Sequence, residues 1–418
     1  MTTSRLPGFH NLKRDDRLTR VAAETDLTPD QVAYLRDQAM AGGALAENLS
    51  ENVIGVMALP LSVATNLIVD GRDVLVPMVT EESSVVAAVC NGARACRATG
   101  GVTTDADAPR MIAQVQLTDV PDLTEAHMKI LSKKDEISGL CDACDPMLVQ
   151  LGGGFRDIDV RLVGDFLVVH LIIDVRDAMG ANAVNTMAEA LAPHLERWSG
   201  GQAGLRILSN LADQRLVRAR ATWTADEIGA DMVDGILSAY AFAAVDPYRA
   251  ATHNKGIMNG VDAVALATGN DCRALEAGAH AFAATKEEQY GPLTHWQKAE
   301  NGDLIGEIEL PVAVGIVGGA TKAHPTAQAA LAILQVASAD HLARVIAAVG
   351  LVQNFSALRA LAGEGIQRGH MGLHARNVAI AAGAVGDQIE RVAREMVARA
   401  TIREDVALAL LAGMTRDD

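Results

Sequence analysis

Aromatic residues are scarce in this chain. Phe, Tyr and Trp together make up 3% of its 418 residues, although 50% of the residues are hydrophobic. The core is therefore expected to consist mainly of Ala, Val, Leu and Ile, which are among the residues most often buried. A chain of 418 residues exceeds the usual size of one hydrophobic core, so the sequence predicts two or three domains.

Basic residues are in the minority. The chain has 36 Lys and Arg against 52 Asp and Glu, which gives a formal net charge of −16. This balance argues against a nucleic-acid-binding surface and against attraction to an anionic membrane, so we expect neither as a partner. An anionic substrate would need basic residues concentrated at its binding site, because the net negative charge of the protein would otherwise repel it.

Cysteines and long apolar runs are also few. An odd count of five cysteines, without a secretory leader at the N-terminus, is typical of a reducing compartment, so we expect a cytoplasmic protein. The most apolar long stretch, Val53 to Val69, is too short to span a bilayer and is interrupted by Pro60, Ser62, Thr65 and Asn66. We therefore expect a soluble protein.

Signals for a metal site are weak. His370 and His374 are spaced i, i+4 on one helix face, but Met371 stands where a zinc protease helix carries glutamate, and no third ligand lies nearby. Cys141 and Cys144 form a lone C-x-x-C without a second pair. We therefore predict no metal, and rank a general-acid or structural role for His370 above metal binding.

Helical patterns cover much of the chain. Thr28, Pro29 and Gln31 form a capping box that predicts a helix start. Further helices are predicted over Ser83–Ala98, Ala181–Trp198, Ala225–Ala244, Thr326–Val336, Asp340–Leu361 and Gly372–Gly413.

The segment from Arg110 to Asp213 is rich in β-strand patterns. It contains IAQVQLTDV, DIDVRLVGDFLVVHLIIDV and GLRILSNLA, separated by helix-like segments. This mixture predicts an α+β domain inserted into a mostly helical one. Three glycines in GEGIQRG, just before His370, predict a hinge for a mobile C-terminal piece.

The run from Asp246 to Asp271 has the composition of a binding site. Gly256 and Gly260 predict backbone that approaches a ligand closely. The apolar VDAVALAT is predicted to be a short buried strand, with the carboxylate of Asp271 near its end. Polar groups suited to an anionic substrate precede it, namely Arg249, Asn254, Lys255 and Asn259.

Four charged residues have a structural and a catalytic interpretation. Lys255 can stabilise an oxyanion or form a Schiff base, although most lysines are solvated surface residues. Asp271 is well placed to cap the helix that follows, which is favoured over pairing with a lysine. Glu81 and Glu82 complement the dipole of the Ser83–Ala98 helix, and catalysis by either would need an unusual environment.

The segment from Asp177 to Asn182 follows a predicted strand and precedes a predicted helix. A strand, a glycine turn at Gly180 and a helix N-terminus can together receive a phosphate. Because the chain lacks G-x-G-x-x-G here, a Rossmann fold is not indicated.

Several motifs in one order resemble the 3-hydroxy-3-methylglutaryl-coenzyme A reductase family, in its soluble bacterial class II form. The resemblance covers essentially the whole chain. The motifs are ENVIG (Glu51–Gly55), VPMVTEESS (Val76–Ser84), DAMGANAVN (Asp177–Asn185), THNKGIMNG (Thr252–Gly260), ATGND (Ala267–Asp271) and GHMGLHARN (Gly369–Asn377).

The resemblance implies reduction of the thioester to mevalonate and free coenzyme A by two nicotinamide hydrides. Lys255 would stabilise the oxyanion of the hemithioacetal intermediate, and Asp271 would tune it. Glu82 would supply a proton when mevaldehyde is reduced. His370 would protonate the departing thiolate.

The resemblance also implies the binding residues. Asp145 falls where NAD-preferring relatives carry an acidic residue, so we expect NAD rather than NADP as the cofactor. The dinucleotide would meet Asp177, Met179, Gly180, Asn182 and Asn185. The hydroxymethylglutaryl group would meet Ser84, Asn210, Arg249, Thr252 and Asn259.

The family's architecture implies four segments. They are a large domain over 1–107 and 214–367, an inserted ferredoxin-like NAD-binding domain over 108–213, and a helical C-terminal flap over 368–418. The family also implies a homo-oligomer whose active site is shared between two subunits. The rival interpretations are an acyltransferase with a cysteine nucleophile and a non-catalytic coenzyme A binding protein.

Overall fold

The structure is a computed structural model. It describes residues 3–38, 43–52, 54, 56–286, 289–363 and 375–414. Within these residues it contains ten strands: β1 Leu61–Val69, β2 Arg72–Val79, β3 Val102–Ala106, β4 Arg110–Thr118, β5 Gly154–Val163, β6 Phe166–Asp174, β7 Gln202–Leu208, β8 Leu216–Trp223, β9 Thr294–Lys298 and β10 Leu304–Pro311.

The helices of the described residues are numbered in chain order. They are α1 Arg14–Glu24, α2 Pro29–Ala33, α3 Gly43–Leu49, α4 Val85–Cys96, α5 Leu123–Leu131, α6 Lys134–Cys144, α7 Pro146–Gln150, α8 Ala181–Ser199, α9 Ala225–Ile228, α10 Ala230–Val245, α11 Pro247–Ala267, α12 Cys272–Thr285, α13 Gly319–Ala323, α14 Pro325–Leu334, α15 Ala339–Ala362, α16 over 375–381, α17 Asp387–Ala398 and α18 Glu404–Met414.

A six-stranded sheet organises the larger part of the fold, which is called the larger unit below. Its strand order is β2-β1-β3-β8-β10-β9, and every neighbouring pair is antiparallel except β1 and β3. Helix α15 packs on this sheet and on α4, α10 and α11. The prediction of a mostly helical large domain is therefore incomplete, because it did not include this sheet.

Helix α15 is the central helix of the large core. By length and composition it is apolar enough to cross a membrane, but 67% of its most apolar window is buried inside the protein. Val349, Leu351 and Phe355 are fully buried, and Phe355 stacks on Trp223 of β8 with ring centroids 4.4 Å apart. Its apolar character is explained by this packing.

The predicted α+β segment, called the smaller unit below, folds around a four-stranded antiparallel sheet with the order β5-β6-β4-β7. Helices follow β4 and β6, so the elements run in a β-α-β-β-α-β sequence. Its buried core is separate from the large one and comprises residues between Met111 and Ala212, with Ala313 added from the larger unit. The overall class, α+β with many helices, is as predicted.

The predicted strand VDAVALAT is wrong. Residues 261–267 are the last two turns of the 21-residue helix α11, which begins at Pro247, directly after the Asp246 cap. The run is buried on most sides, and a short apolar run of this kind cannot be distinguished from a buried helix segment by periodicity.

Most predicted helices are confirmed to within a few residues. Two predicted helices divide. Ala225–Ala244 divides at Gly229 because this residue has φ 91°, a conformation that favours glycine. The predicted helical tail comprises α16, α17 and α18 in the described residues, with a small core of its own around Val392 and Met396.

Candidate active site

Lys255 and Glu82 meet on the surface of the larger unit. Lys255 projects from α11, and Glu82 lies in the turn between β2 and α4, 173 residues away in sequence. Lys255 Nζ donates to Glu82 Oε2 over 2.9 Å, with side chains 61% and 40% exposed. Exposed ion pairs typically contribute about 0–1 kcal/mol to stability. The pair is therefore of more interest as chemistry than as a source of stability.

The turn that carries Glu82 has an unusual backbone. Ser84, the N-cap residue of α4, adopts φ 78° and ψ −17°, in the left-handed region. Non-glycine residues in that region cost of order 1–3 kcal/mol and are concentrated at functional sites. Ser84, predicted to bind substrate, therefore lies two residues from Glu82 in a turn held by the surrounding fold.

The other substrate residues predicted on α11 form a stripe with Lys255. Arg249, Thr252, Lys255 and Asn259 follow one another at spacings of three or four residues, which places them on one helix face. Partial burial lowers the pKa of the Arg249 guanidinium. In the described part of the chain no carboxylate pairs with Arg249. The stripe thus offers a cation that no carboxylate of the described residues neutralises.

Asp271 caps α12. Its Oδ1 accepts from the backbone N–H groups of Arg273 (2.9 Å) and Ala274 (3.2 Å), and its Oδ2 pairs with the Arg273 guanidinium at 3.1 Å. Among the described residues no hydrogen bond or ion pair joins it to Lys255. The structural interpretation of Asp271 from the sequence is therefore what is observed.

Asn210 lies against the same helix. Its carbonyl oxygen would be 2.7 Å from a Cβ added at Gly278 of α12, so this glycine permits the close approach of the chain after β7. The predicted substrate residue is thus on the α12 side and outside the α11 stripe.

The buried side of α11 contains His253. Its Nε2 is 2.6 Å from Thr294 Oγ1, and burial, assisted by the positive charge of Arg249, lowers the pKa of His253 to about 3. The imidazole is therefore neutral in the folded protein at all ordinary pH values.

This burial predicts loss of stability in acid. The unfolded chain takes up a proton at His253 as the pH falls below about 6.5, whereas the folded chain does so only near 3. The free energy of unfolding should fall by about 3 kcal/mol from this group between pH 7 and pH 4.5. Denaturant titrations at both pH values, on the wild type and His253→Gln, measure it. Equal pH dependence in the two proteins would contradict the assignment.

The predicted cofactor segment forms the turn between β6 and α8. Gly180 caps α8 with φ 105°, and a Cβ there would lie 2.7 Å from Val175 Cγ1, so only glycine fits. No side chain caps this 19-residue helix, and its first N–H groups are therefore of the kind that receives a phosphate. The predicted strand, glycine turn and helix are confirmed here.

The same turn is hydrogen-bonded to the larger unit. Asp177 Oδ1 accepts from Ala339 N, at the start of α15, over 2.8 Å, and Asp177 O accepts from Ile316 N over 3.0 Å. The buried Arg215 donates to the carbonyls of Ala178 (3.2 Å) and Val314 (2.6 Å). Burial lowers the pKa of Arg215 to about 10, against the charges of nearby aspartates. Sequence reasoning missed Arg215.

Gly315 brings the end of α11 and the cofactor turn together. Its N–H donates to Asn270 Oδ1, next to Asp271, over 2.8 Å, and a Cβ on it would lie 2.5 Å from Met179 N. Two predicted parts of the site, ATGND and the Asp177–Asn182 turn, therefore touch the same glycine. Gly315, Gly318 and Gly319 lie close together in the sequence, and such a cluster of glycines is a signal for a close approach of this kind.

The remaining cofactor residues have structural contacts. Asn185 Oδ1 accepts from Leu208 N of β7 over 2.8 Å, and Asn182 is exposed on the first turn of α8. Asp145 caps α7, with its Oδ1 accepting from Leu148 N over 2.9 Å. These contacts leave the predicted binding roles of Asn182, Asn185 and Asp145 as predictions.

Some predicted features lie outside the described residues. They are His370, His374, residues 364–369 of the predicted GEGIQRG hinge, and Val53 and Gly55 of ENVIG. In the described ranges no group of three or more His, Cys, Asp or Glu side chains is arranged to hold a metal ion.

Comparisons with known proteins identify the family. The family model of hydroxymethylglutaryl-coenzyme A reductase matches residues 13–375. The 3-hydroxy-3-methylglutaryl-coenzyme A reductase of Archaeoglobus fulgidus is 53% identical over 414 residues, which cover 98% of this chain and 94% of that protein. The probable reductase of Borreliella burgdorferi is 34% identical over 341 residues, covering 79% of this chain and 77% of that protein.

Solved structures agree. The 3-hydroxy-3-methylglutaryl-coenzyme A reductase from Streptococcus pneumoniae matches with a TM-score of 0.84 and 40% identity, covering 98% of this chain and 99% of that chain. The class II reductase from the same organism, bound to NADPH in open conformations, matches with a TM-score of 0.82 and 40% identity over 97% and 100% of the two chains.

The fold and these matches define an oxidoreductase. The chain belongs to the hydroxymethylglutaryl-coenzyme A reductase family. The family predicted from the sequence motifs is confirmed.

Proposed function

We propose that this protein interconverts 3-hydroxy-3-methylglutaryl-coenzyme A and mevalonate plus coenzyme A by two hydride transfers with NAD(H). The observation that carries the proposal is the 2.9 Å contact between Lys255 and Glu82 on an open face of a chain of this family. A cation beside a carboxyl group supplies what carbonyl reduction needs, namely charge stabilisation and a proton.

Lys255 stabilises the oxygen that becomes negative when the first hydride reaches the thioester carbonyl. Glu82 delivers a proton to the aldehyde oxygen in the second reduction. Asp271 acts on Lys255 through its charge across the site, because its carboxylate is held at the N-terminus of α12. His370 protonates the coenzyme A thiolate as it departs.

The α11 stripe binds the hydroxymethylglutaryl group. The Arg249 guanidinium is suited to the free carboxylate of this group, because no protein carboxylate pairs with it among the described residues. Thr252 and Asn259 flank Lys255 on the same face and can bond the substrate's hydroxyl and carboxylate oxygens. Ser84 and Asn210 complete the contacts from the β2–α4 turn and the α12 side.

The dinucleotide binds at the turn before α8. Asp177, Met179 and Gly180 form this turn, and Asn182 and Asn185 extend it along α8. When bound, the nicotinamide supplies the hydride. The hydrogen bonds made by Asp177 and Arg215 hold this turn against the larger unit. Gly315, which lies close to the turn, is hydrogen-bonded to Asn270 there.

NAD is proposed as the preferred cofactor because Asp145 would bond ribose hydroxyls and repel a 2′-phosphate. NADP is the alternative, since a class II relative 40% identical to this chain was solved with NADPH. We expect kcat/KM to be higher with NADH than with NADPH. In Asp145→Ala the ratio of kcat/KM with NADH to kcat/KM with NADPH should fall by about tenfold, which corresponds to about 1.4 kcal/mol. Initial rates with both cofactors test this. Preference for NADPH, or an unchanged ratio in the variant, would contradict it.

His370 is expected to act in one half-reaction. In His370→Gln, reduction of the thioester should fall by at least about tenfold more than reduction of supplied mevaldehyde, because only the thioester releases a thiolate that needs a proton. Rates of cofactor oxidation with each substrate measure the difference. Equal losses would argue against the role of thiolate acid.

We also propose the domain division at 107/108, 213/214 and 367/368, with 368–418 acting as a flap over the site. The separate small core between Met111 and Ala212 supports the boundaries at 107/108 and 213/214.

We also propose a cytoplasmic location and a homo-oligomer with a shared active site. The oligomer is supported by large apolar side chains that are exposed near the α11 stripe. Phe242, Val245 and Tyr248 are 56%, 75% and 86% exposed there.

A further inference from the structure

Arg215 is a buried cation beneath the turn that precedes α8. It lies directly before β8, and only 3% of its surface is exposed. Its Nη1 donates to Ala178 O over 3.2 Å and to Met179 O over 3.4 Å, and its Nη2 donates to Val314 O over 2.6 Å. All three acceptors are backbone carbonyl groups. Two of them belong to the turn at which the dinucleotide is proposed to bind.

The guanidinium of Arg215 has no ion-pair partner among the described residues. Three aspartates act on its charge from a longer distance, namely Asp174, Asp177 and Asp340. Arginine side chains pair with the first and the last of these, so Asp177 is the one without a cation partner in the described part of the chain. A charge buried in this way costs free energy unless something compensates it. The cost indicates that the charge has a function at the turn.

The peptide groups that bind Arg215 present their N–H groups on the opposite side. A trans peptide directs its carbonyl and its N–H in opposite directions, and no cis peptide bond occurs among the described residues. The N–H groups of Met179 and Gly180 therefore point away from the guanidinium. Neither they nor the N–H groups of 181–183 have a hydrogen-bond acceptor in the described part of the chain. Gly180 is a buried residue, and a buried backbone donor normally has an acceptor. These successive N–H groups are thus available to an anionic ligand.

The segment after β10 holds Arg215 from the other side. Val312 N donates to the backbone carbonyl of Arg215 over 3.2 Å, and Val314 O accepts from its side chain. At the next residue, Gly315, a Cβ would lie 2.5 Å from Met179 N, so only glycine lets the two backbones come this close. The charge of Arg215 is therefore fixed directly against the turn by contacts from both units.

We propose that Arg215 is a positioning residue for the phosphates of the dinucleotide. Its charge polarises the peptide groups of the turn and offsets the carboxylate of Asp177, which would otherwise repel a phosphate there. The N–H groups of Met179 and Gly180 donate to the phosphates from the far side of the turn, so Arg215 acts without touching the cofactor. This inference rests on the proposed function, because it takes the dinucleotide to bind at this turn.

The charge of Arg215 is present at neutral pH. Burial lowers the pKa of its guanidinium to about 10, and the three nearby aspartates oppose this effect. A group with a pKa of about 10 is almost fully protonated at neutral pH. Because a buried charge is screened by salt and solvent much less than an exposed one, its effect extends through the turn to a bound anion.

The first test is a fluorescence titration of the free enzyme with NADH. In Arg215→Gln the Kd should rise by about tenfold or more, because the amide can still donate to the carbonyls but has no charge. Arg215→Lys keeps the charge, so its Kd should stay within about threefold of the wild type. The KM for the thioester should change by less than about twofold in both variants. Equal losses of NADH affinity in the two variants would show a purely structural role and overturn the proposal, as would an unchanged Kd in Arg215→Gln.

Arg220 provides the matched control on the same strand. It lies on β8, and its partly exposed side chain pairs with Glu307. Arg220→Gln removes the same charge away from the turn, so its Kd for NADH should stay within about twofold of the wild type. A loss as large as that of Arg215→Gln would mean that net charge alone governs NADH binding, and the proposal would be wrong. Melting temperatures of the variants show whether each one keeps its fold.

The second test uses the wild type and decides the matter if Arg215→Gln does not fold. Hydrogen exchange of the backbone N–H groups of 179–183 is measured with and without saturating NADH. Exchange should slow by at least about tenfold in the complex, because these groups gain phosphate acceptors. The N–H of Val184, which already donates to Gly180 O, should change less.

The exchange result separates this inference from the proposed function. Unchanged exchange at 179–183 with saturating NADH would overturn the inference even if the enzyme oxidises NADH with the thioester. Slower exchange without any thioester-dependent oxidation of NADH would instead overturn the proposed function and leave the inference in place.

Discussion

Lys255→Ala should lose thioester reduction while keeping its fold. Removing a group that stabilises an oxyanion typically costs roughly 10²–10³-fold in kcat. Lys255 is more than half exposed, and its ion pair with Glu82 is at the surface, so the loss should not be accompanied by a large change in stability. The measurements are the rate of NADH oxidation with the thioester and the melting temperature of the variant.

A matched control is available in the same unit. Lys298 pairs with Asp234 at 2.7 Å, and both side chains are exposed. Lys298→Ala removes the same charge from a comparable ion pair, and its activity should stay within twofold of the wild type. Appreciable mevalonate formation by Lys255→Ala would contradict the assignment, as would an equal loss in Lys298→Ala.

Glu82→Gln should impair the second reduction most. The amide keeps the shape of the side chain and can still accept from Lys255 Nζ, but it cannot deliver a proton to the aldehyde oxygen. Loss of a positioned general acid typically costs roughly 10²–10⁴-fold. Reduction of supplied mevaldehyde is therefore expected to fall by that amount.

The adjacent Glu81 provides the control. Both glutamates are exposed in the same turn, and only Glu82 contacts Lys255 among the described residues. Glu81→Gln should reduce mevaldehyde within twofold of the wild-type rate. If the two variants lose activity equally, the proton donor is not Glu82, and a general effect on the turn is the better explanation.

Much of the smaller unit could be predicted from local patterns. Alternation is clear in β5, where Ile158 and Val160 are buried and Asp159 between them is exposed. The turn at Gly180 separates a strand from a helix with strong helical periodicity. The Thr28 capping box is formed as predicted, with Gln31 N bonded to Thr28 Oγ1. In these places local preference and the final fold agree, which is why short segments were sufficient.

The larger unit was harder because burial hides periodicity. The end of α11 is apolar on nearly every face, so its sequence also suits a buried strand. Strand β8 does alternate, with Val217, Ala219 and Ala221 buried, but such patterns do not specify a partner strand that is distant in sequence. The six-stranded sheet was therefore not predicted.

The site itself depended on contacts that a local pattern cannot contain. Lys255 and Glu82 are 173 residues apart, and only their motifs indicated that they act together. The cap formed by Asp271 was predictable because an acidic residue before a helical run is a strong local signal. Arg215 and Gly315 were missed because their function depends on neighbours brought close by the fold.

The stoichiometry of the reaction tests the central claim most directly. With the thioester and excess NADH, we expect two equivalents of cofactor to be oxidised for each coenzyme A thiol released, with mevalonate as the product. Release of the thiol without cofactor oxidation would indicate hydrolysis or acyl transfer. That result would contradict a reductase that works through Lys255 and Glu82.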